Sequence, residues 1–417
     1  MNRNKLSTLF ICPVWMVLAC GMLHAQNVVT DWTAIESTTI VKNAGNPPAA
    51  SGVYFAYAAI SSYDAVNAID RRFRPIYFFG RAWGGASAEA AAVAAAHRVL
   101  VNYFPSQKTA LDHDVIVSLA GIHASPDAKA AGVLVGEASA AALIAARTGD
   151  GVAASVTYTP GSGPGAWEPT PPGFLPPATP WLGQMRPFTM RSPSQFLPGG
   201  PTPLSSSAWE RDYTITRLLG AIDSTVRTPK QTEIGIFWTE NTAQQYARLF
   251  TNLTSQHQLS LLDTARFMAI LWTGFADAGI GCFNAKYHYG FWRPVTAIPA
   301  GGGNPDLTAD PAWLPLATTP NHPEYPAAHA CITSAVSHLI AGYFGTSKVH
   351  IVVDSLAFTD GPHTHSFDDT GDFLDEVFWA RVYAGFHFYH SLVDGRDLGK
   401  KVAAQVESRY FRSAVDR

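Results

Sequence analysis

The sequence predicts an all-α protein, a helical bundle with one long irregular segment packed on it. Three observations support this prediction: alanine-rich stretches with helix caps, a scarcity of alternating strand patterns, and a proline-rich region that no regular element tolerates. The 417 residues are 47% hydrophobic and 15% charged, which is enough apolar material for a large core. A formal net charge of -3 and the lack of a basic run argue against nucleic-acid binding.

Residues 1–25 have the order of a secretory signal peptide. Arg3 and Lys5 precede an apolar stretch, which ends in a cleavage site after Ala25. Two forms of export are open: simple secretion, which we favour, and lipid anchoring at Cys20, which lies in a loose lipoprotein processing box. We therefore expect a periplasmic or extracellular protein. No later stretch predicts a transmembrane segment.

Helices are predicted in the N-terminal region, residues 26–155, over 51–71, 86–103 and 125–148. The last of these has the clearest boundaries. Ser125 is its N-cap, Pro126 its first residue and Gly149 its stop.

Residues 156–207 form the proline-rich region. Thirteen of the 29 prolines lie between Pro160 and Pro203, together with several tryptophans and phenylalanines. Proline at this density excludes a helix or a central strand. A disordered linker rarely carries so many aromatic residues, so we expect an ordered loop over the helical body.

The C-terminal region, residues 208–417, predicts helices beginning near Trp209. The segment from Thr228 to Gln231 is a capping box, from which we expect a helix to about Phe250. Further helices are expected over 260–285, 327–344 and 373–384, and the only strand candidate is 349–353. We find no internal repeat, and residues 26–417 should form one compact unit.

Lys286 and Arg293 are the first candidate site residues. They are seven residues apart, so both would project from one face of a continuous helix. Gly290 makes that continuity uncertain, and Pro294 favours a helix end. Aromatic residues surround the two cations, but cations paired with ordinary carboxylates would also explain them.

A second cluster runs from His322 to His329. Pro326 and two alanines precede an apolar-periodic stretch, which predicts a helix start with free backbone N–H groups near Ala328. Such groups donate to anions, and His329 could pass a proton to the same anion. A capping histidine without chemistry is the alternative.

Arg381 and His387 form the third cluster. Six residues separate them, so a continuous helix would place them about 120° apart. Gly385 lies between them and could end the helix, which would let both side chains face one cavity. A neutral imidazole there is a nucleophile or a metal ligand. A buried structural histidine is the alternative.

The three clusters together resemble a known family. Lys286-x6-Arg293-Pro, Pro326-small-small-His329 and Arg381-x5-His387 are similar to the signature shared by vanadium-dependent haloperoxidases and type 2 phosphatidic acid phosphatases. The segments around Trp167, Arg227 and residues 240–293 resemble the secreted soluble bacterial-type haloperoxidases, over most of the mature chain. The resemblance implies a helical bundle with an orthovanadate or phosphate site.

By matching positions, the resemblance assigns roles to the candidate residues. Lys286, Arg293, Arg381 and the Ala328 amide would bind vanadate oxygens, and His387 would be the axial ligand of vanadium. His329 would be the catalytic acid–base residue. Lys286 would also be catalytic, because it would polarise bound peroxide for attack by halide.

Four positions depart from the family pattern. Ala327 and Ala380 replace serines, and Ala328 replaces a glycine. Ser391 replaces an aspartate that would orient His387, and Asp394 is a candidate substitute. A missing side-chain donor at 327 could cost about 1–3 kcal/mol of anion binding. These changes bear on efficiency and on which reaction dominates.

The resemblance implies oxidation of halide, with bromide favoured, by hydrogen peroxide to hypohalous acid, which would act on a small organic acceptor. Two alternatives are open. The first is a secreted acid phosphatase with a phosphohistidine at His387. The second is a catalytically weakened relative that only binds oxyanions. The sequence does not fix the oligomeric state, and a homodimer rests on family habit alone.

Several other residues carry weaker hypotheses. Asp64, Trp238 and Glu240 are expected to support helices and loops, whereas His322 and Phe291 are candidates for the halide side of the pocket. Zinc ligation by His363 and His365, or by His387 and His390, is disfavoured, because neither pair forms a familiar spacing with a third ligand. For Cys282 and Cys331, a disulfide and two buried thiols are equally compatible with the sequence.

Overall fold

The computed structural model describes residues 27–82 and 84–414, and its mostly helical fold confirms the predicted fold class. The signal peptide and the Cys20 anchor predicted within residues 1–25 lie outside the described residues. The helices are α1 (Val28–Ser37), α2 (Pro48–Asp70), α3 (Ala88–Tyr103), α4 (Lys108–Gly121), α5 (Pro126–Arg147), α6 (Ser207–Gly220), α7 (Pro229–Phe237), α8 (Thr242–Gln256), α9 (Leu261–Tyr289), α10 (Pro294–Ala297), α11 (Ala328–Phe344), α12 (Thr370–Tyr383) and α13 (Tyr389–Arg409). The strands are β1 (Ile351–Ser355) and β2 (His363–Phe367), which pair antiparallel.

The centre of the molecule is formed by α2 and α9, which pack on each other and are buried over most of their length. α3 and α5 cover α2 on one side, while α11 packs on α9 and is itself covered by α12 and α13. One hydrophobic core runs through all of these helices, from Val29 to Phe411. This apolar frame fixes the positions of the loops that connect α9 to α11 and α12 to α13.

Glycines allow α13 to approach α11 closely. A Cβ added at Gly399 would lie 2.1 Å from the carbonyl oxygen of Cys331, and one at Gly395 would lie 2.9 Å from the carbonyl oxygen of Ala327. Because no larger residue fits at such distances, α13 lies directly against the backbone of α11 at its N-terminal end. This contact sets the position of the α11 start.

The proline-rich loop, residues 156–207, packs on α9. Asp277 is buried in α9, and its carboxylate accepts the backbone N–H groups of Phe188 and Thr189, both at 2.7 Å. Earlier in the loop, Trp167 is fully buried, and its backbone N–H donates to the carbonyl of Gly290 at 2.7 Å. The loop is thus fastened at the C-terminal end of α9, where the first candidate cation lies.

The helix expected from Thr228 to Phe250 is wrong as a single element. The capping box is present, but α7 ends at Phe237 and a new helix begins after Asn241. The side chain of Asn241 accepts the N–H groups of Ala243 and Gln244, which gives α8 its own N-cap. The resulting break exposes residues 239–242 to the cavity described below.

Other differences concern short or polar elements. The structure adds α1, α4, α13 and β2, which the sequence analysis does not predict, and β1 lies two residues later than the expected strand.

By length and composition α5 could span a membrane, with a mean hydropathy of 1.4 over 18 residues, although the sequence analysis predicts no such segment. A third of that stretch is buried, and Gly136 of α5 lies against the backbone of α3.

Candidate active site

Lys286 and Arg293 come from different pieces of backbone, because α9 ends between them. Gly290 adopts the left-handed conformation, with φ 56°, and its N–H closes the helix on the carbonyl of Lys286. Arg293 then lies on extended chain, immediately before α10. The two cations therefore converge from a helix end and a loop, and do not share one helix face.

Both cations are fully buried and bind the segment that leads into α11. Lys286 Nζ donates to the carbonyls of Pro323 and Glu324 at 2.8 and 2.9 Å. Arg293 Nε donates to the carbonyl of His322 at 2.9 Å, and its Nη2 lies 3.0 Å from His322 Nδ1. These bonds fix the path of residues 322–324.

Arg381 and His387 are brought together by the turn that follows α12. Gly385, with φ 75°, reverses the chain after the helix, so that His387 returns toward Arg381. Arg381 Nη1 donates to the carbonyl of Trp238 at 2.6 Å, and the guanidinium lies 4.7 Å from the ring centre of Phe386. Arg381 Nε is buried and finds no hydrogen-bond acceptor among the described residues, so this N–H is available to a ligand.

The imidazole of His387 is held between a carboxylate and a guanidinium. Its Nδ1 lies 2.7 Å from Glu324 Oε1, and its Nε2 lies 3.1 Å from Arg293 Nη1. A guanidinium can only donate, so Nε2 is the acceptor and the ring proton is on Nδ1. The Nε2 lone pair is therefore the reactive end of His387.

Neither Ser391 nor Asp394 supplies the carboxylate that the family pattern places after His387. The Asp394 carboxylate accepts the hydroxyl of Tyr325 at 2.6 Å, and the carbonyl of Ser391 accepts the N–H of Ala327 at 3.1 Å. Glu324 takes this place, which the sequence analysis missed. The acidic residue two positions after His322, read together with the missing aspartate, was the available signal.

His329 lies in the first turn of α11, next to Ala328. No side chain caps this helix end, where Ala327 is the N-cap, and the first backbone N–H groups have no acceptor within the helix itself. His329 Nε2 lies 2.8 Å from the hydroxyl of Thr242, at the start of α8. Thr242 is a second neighbour that the sequence analysis missed.

Positive charge exceeds negative charge at this site. Burial lowers the pKa of Lys286 to about 8, of Arg293 to about 10 and of Arg381 to about 9. The positive charge of Arg293 further lowers the pKa of Lys286 and of Arg381. Burial also raises the pKa of Glu324 to about 7, although Lys286 and Arg293 oppose that rise. The site therefore holds three buried cations beside a single carboxylate, whose charge does not balance theirs.

The site histidines are held neutral by the same environment. Burial lowers the pKa of each well below its ordinary value, and the neighbouring cations lower it further; the residues are His322, His329 and His387. A neutral imidazole keeps a lone pair for a ligand.

These residues surround a cavity of about 430 Å³. Of the predicted site residues, those that line it are Ala328, His329, Arg381 and His387. Lys286 and Arg293 are buried beside it, bonded to the segment that contains His322. The predicted residues are thus brought together around one cavity, which is also lined by Thr179 and residues 239–242.

Of the two residues suggested for the halide side of the pocket, one lines the cavity and the other does not. His322 lines the cavity, whereas Phe291 packs against Trp209 and Phe388 in a separate hydrophobic cluster. Cys282 and Cys331 are buried free thiols. Within the described residues, no group of three or more histidine, cysteine or acidic side chains could hold a metal ion.

Asp64, Trp238 and Glu240 have the supporting contacts expected of them. Asp64 accepts the backbone N–H groups of residues 76–78, which follow α2. The carbonyl of Trp238 holds Arg381, and the Glu240 carboxylate is paired with Arg248 at 2.8 Å.

Comparison with solved structures identifies the fold. The chain superimposes on a bacterial vanadium-dependent iodoperoxidase with a TM-score of 0.78, at 19% identity, over 93% of this chain and 97% of that chain. A holo-type bacterial vanadium-dependent chloroperoxidase gives a TM-score of 0.73 at 16% identity, over 92% of this chain and 97% of that one. This chain has the vanadium haloperoxidase fold.

Sequence comparison agrees over the C-terminal part of the chain. Residues 266–415 match the family of the VCPO second helical-bundle domain, and all the predicted site residues lie within this segment. The vanadium chloroperoxidase of Curvularia inaequalis is 27% identical over 150 residues, which cover 30% of this chain and 24% of that protein. The resemblance inferred from the three clusters is confirmed, and the vanadium haloperoxidase fold explains why residues 100 positions apart converge on one cavity.

Proposed function

We propose that this protein is a vanadate-dependent haloperoxidase, which oxidises bromide with hydrogen peroxide to hypobromous acid outside the cytoplasm. The observation that carries the proposal is the cavity itself, which has three buried cations and one carboxylate at its edge and is lined by neutral histidines. The solved relatives are described as iodo- and chloroperoxidases, so the choice of bromide is ours. The released hypobromous acid would halogenate a small organic acceptor.

The side chains around the cavity fit a tetrahedral oxyanion such as vanadate or phosphate. Arg381 Nε has a free N–H, and the start of α11 offers backbone donors at Ala328 and His329. Lys286 uses two of its three N–H donors on carbonyls and keeps one for an anion oxygen. An anion bound here would supply the negative charge that the cations lack.

When bound, vanadate supplies a Lewis acid that activates hydrogen peroxide without a change in its own oxidation state. His387 would hold it through Nε2, because Nδ1 is occupied by Glu324. Arg293 now donates from Nη1 to that same Nε2, so ligation of Nε2 frees this N–H for an anion oxygen. Lys286 remains an ammonium below its pKa of about 8, so it would polarise peroxide held at this site.

His329 is the proton-transfer residue in this proposal. It is neutral because burial lowers its pKa, so it can accept a proton from peroxide and return one to the leaving oxygen. Its bond to Thr242 holds the ring at the cavity wall.

The test is bromination of a phenol by the purified mature protein with peroxide and bromide, across pH 5–8, with and without orthovanadate. We expect activity that requires vanadate, is suppressed by excess phosphate and is lost in His387→Ala. His390→Ala is the matched control, since His390 lies three residues away and is bonded to Asp212 instead. Lack of bromination in the vanadate-loaded protein at every pH would contradict the proposal.

A second candidate function is a secreted acid phosphatase with a phosphohistidine at His387. The Nε2 lone pair beside Arg293 favours it, because a neutral imidazole next to a cation suits attack on phosphorus. Hydrolysis of a phosphate ester that vanadate inhibits and that His387→Ala abolishes would support this function. Full phosphatase activity in His387→Ala would exclude it.

A further inference from the structure

We infer that Glu324 is the positioning residue of His387, and that it replaces the aspartate that the family pattern places at position 391. The inference rests on the proposed function only in taking His387 as the residue that binds the anion. It assigns a role to a side chain in the loop before α11, which lies 63 residues from His387 in the sequence.

Glu324 fixes both the ring and the backbone of its target. One carboxylate oxygen, Oε1, accepts from His387 Nδ1 at 2.7 Å and from the backbone N–H of Phe388 at 3.1 Å. A single ring contact would leave the backbone free to move, whereas two contacts to consecutive residues set the direction of the imidazole. The Nε2 end is consequently aimed at Arg293 and the cavity.

The same contact selects the tautomer. A neutral imidazole carries one proton, and the carboxylate oxygen accepts it at Nδ1 while Arg293 donates to Nε2. A ligand or nucleophile needs a lone pair at Nε2, which the other tautomer lacks. Outer residues that fix the tautomer of a ligating histidine are worth about 10- to 100-fold in affinity.

Glu324 is itself held rigidly. Its side chain is fully buried, its N–H donates to the carbonyl of Phe291 at 2.8 Å, and its carbonyl accepts Lys286 Nζ at 2.9 Å. The backbone that carries the carboxylate is thus tied to the α9 end, which also supplies a cation. The Asp394 carboxylate is bonded to Tyr325 and residue 391 is a serine, so Glu324 is the carboxylate that supports His387.

The two possible roles of Glu324, as a negative charge and as a positioning residue, predict opposite changes in anion affinity when its carboxylate is removed. If Glu324 acted only as a negative charge near an anion site, Glu324→Ala would bind phosphate and vanadate more tightly. A positioning residue gives the reverse: Glu324→Ala should bind both anions about 10- to 100-fold more weakly, because His387 loses its orientation and its tautomer. Titration calorimetry with inorganic phosphate and with orthovanadate measures this directly.

Three further variants make the test specific. Glu324→Asp keeps the charge but shortens the reach, so it should also weaken binding. Glu324→Gln keeps an oxygen acceptor and should bind at least as tightly as the wild type. Ser391→Asp added to Glu324→Ala restores a carboxylate at the family position and should recover most of the lost affinity. Circular dichroism confirms that each variant is folded.

The tautomer of His387 is read independently of any bound anion, from the imidazole nitrogen signals of ¹⁵N-histidine-labelled protein, assigned with His387→Ala. We expect a proton at Nδ1 in the wild type and in Glu324→Gln, and a mixture in Glu324→Ala and Glu324→Asp. An unchanged tautomer with unchanged or tighter anion binding in Glu324→Ala would overturn the inference. If Glu324→Ala does not fold, the same result in Glu324→Asp overturns it.

These readouts separate the inference from the proposed function. Absence of bromination in the wild type would contradict the haloperoxidase proposal, while phosphate binding and the His387 tautomer would still test Glu324. A wild type that binds neither anion would contradict the oxyanion site and leave the tautomer measurement to decide the role of Glu324.

Discussion

Thr242 is the residue that connects the break between α7 and α8 to the chemistry of the cavity. Its hydroxyl lies 2.8 Å from His329 Nε2, and Thr242 is itself buried. In the proposed reaction the imidazole of His329 must point at its substrate, so this bond would give Thr242, a residue outside the sequence motifs, a part in orienting it. Its position at the first residue of α8 follows from the N-cap at Asn241.

We predict that Thr242→Val lowers kcat for bromination about two- to tenfold, the range that loss of one hydrogen bond of about 0.5–1.5 kcal/mol allows. The affinity for vanadate should change little, because His387 and the cations are untouched. Steady-state kinetics and vanadate calorimetry measure the two effects separately. Thr254→Val is the matched control in the same helix, since the Thr254 hydroxyl bonds only to the carbonyl of Thr251. Equal kcat values for the two variants would contradict the prediction.

At the scale of elements, helix boundaries that depend on neighbouring residues were predicted correctly. Boundaries that depend on contacts with distant residues were not. Pro126 after Ser125 correctly predicted the start of α5, because a cap depends only on its nearest residues. The break between α7 and α8 was missed because the Trp238 carbonyl there bonds to Arg381, 143 residues away. No local pattern records such a bond.

The candidate site shows the same division. The clusters around Lys286, Arg381 and His329 could be recognised from the sequence spacing of their cations and histidines. The structure brings them together around one cavity. Glu324 was visible as a residue but not as the partner of His387, because its role depends on how α9 and α11 pack. Gly290 could be recognised as a possible helix end, and only the structure gives its φ of 56°.

The strand β2 was missed because its residues, His363 to Phe367, are mostly polar and do not alternate between apolar and polar side chains. Its polar side chains have partners on two helices. His365 Nδ1 lies 2.6 Å from Glu376 of α12, and His365 Nε2 lies 2.9 Å from Glu233 of α7. His365 also stacks on Phe237, with ring centres 3.9 Å apart. One histidine thus joins the sheet to both helices.

The stability of this junction should depend on pH. Burial opposes protonation of His365, but the hydrogen bonds and charges of Glu376 and Glu233 outweigh it and raise the pKa above 6.5. A raised folded-state pKa stabilises the fold fully below the unfolded pKa, and this contribution is lost as the pH rises through the folded pKa. We therefore predict that the wild type loses stability relative to His365→Gln when the pH is raised from 6 to 8, because the other buried histidines are the same in both proteins. Urea unfolding of both proteins at both pH values measures this difference, and an unchanged difference would contradict the prediction.

At the scale of the whole molecule, the fold buries a group of cations that its own side chains do not neutralise. Lys286, Arg293 and Arg381 come from α9, the following loop and α12, and all three are buried. The packing of α2, α9, α11 and α13 holds these segments together, and desolvation of the charges costs stability. The apolar core of the bundle must offset this cost until an anion binds.

Anion binding should therefore stabilise the entire fold. A ligand that binds only the folded state adds RT ln(1 + [L]/Kd), or about 2.7 kcal/mol at 100 times Kd. We predict that orthovanadate and phosphate each raise the Tm in thermal scans, and that chloride at the same ionic strength does not. Arg381→Met should abolish the rise, since it removes the guanidinium with the free N–H, while Lys348→Ala, an exposed cation paired with Asp369, should keep it. An equal increase of Tm in Arg381→Met would mean that the anions bind elsewhere on the protein. That result would contradict the assignment of the cavity as the oxyanion site.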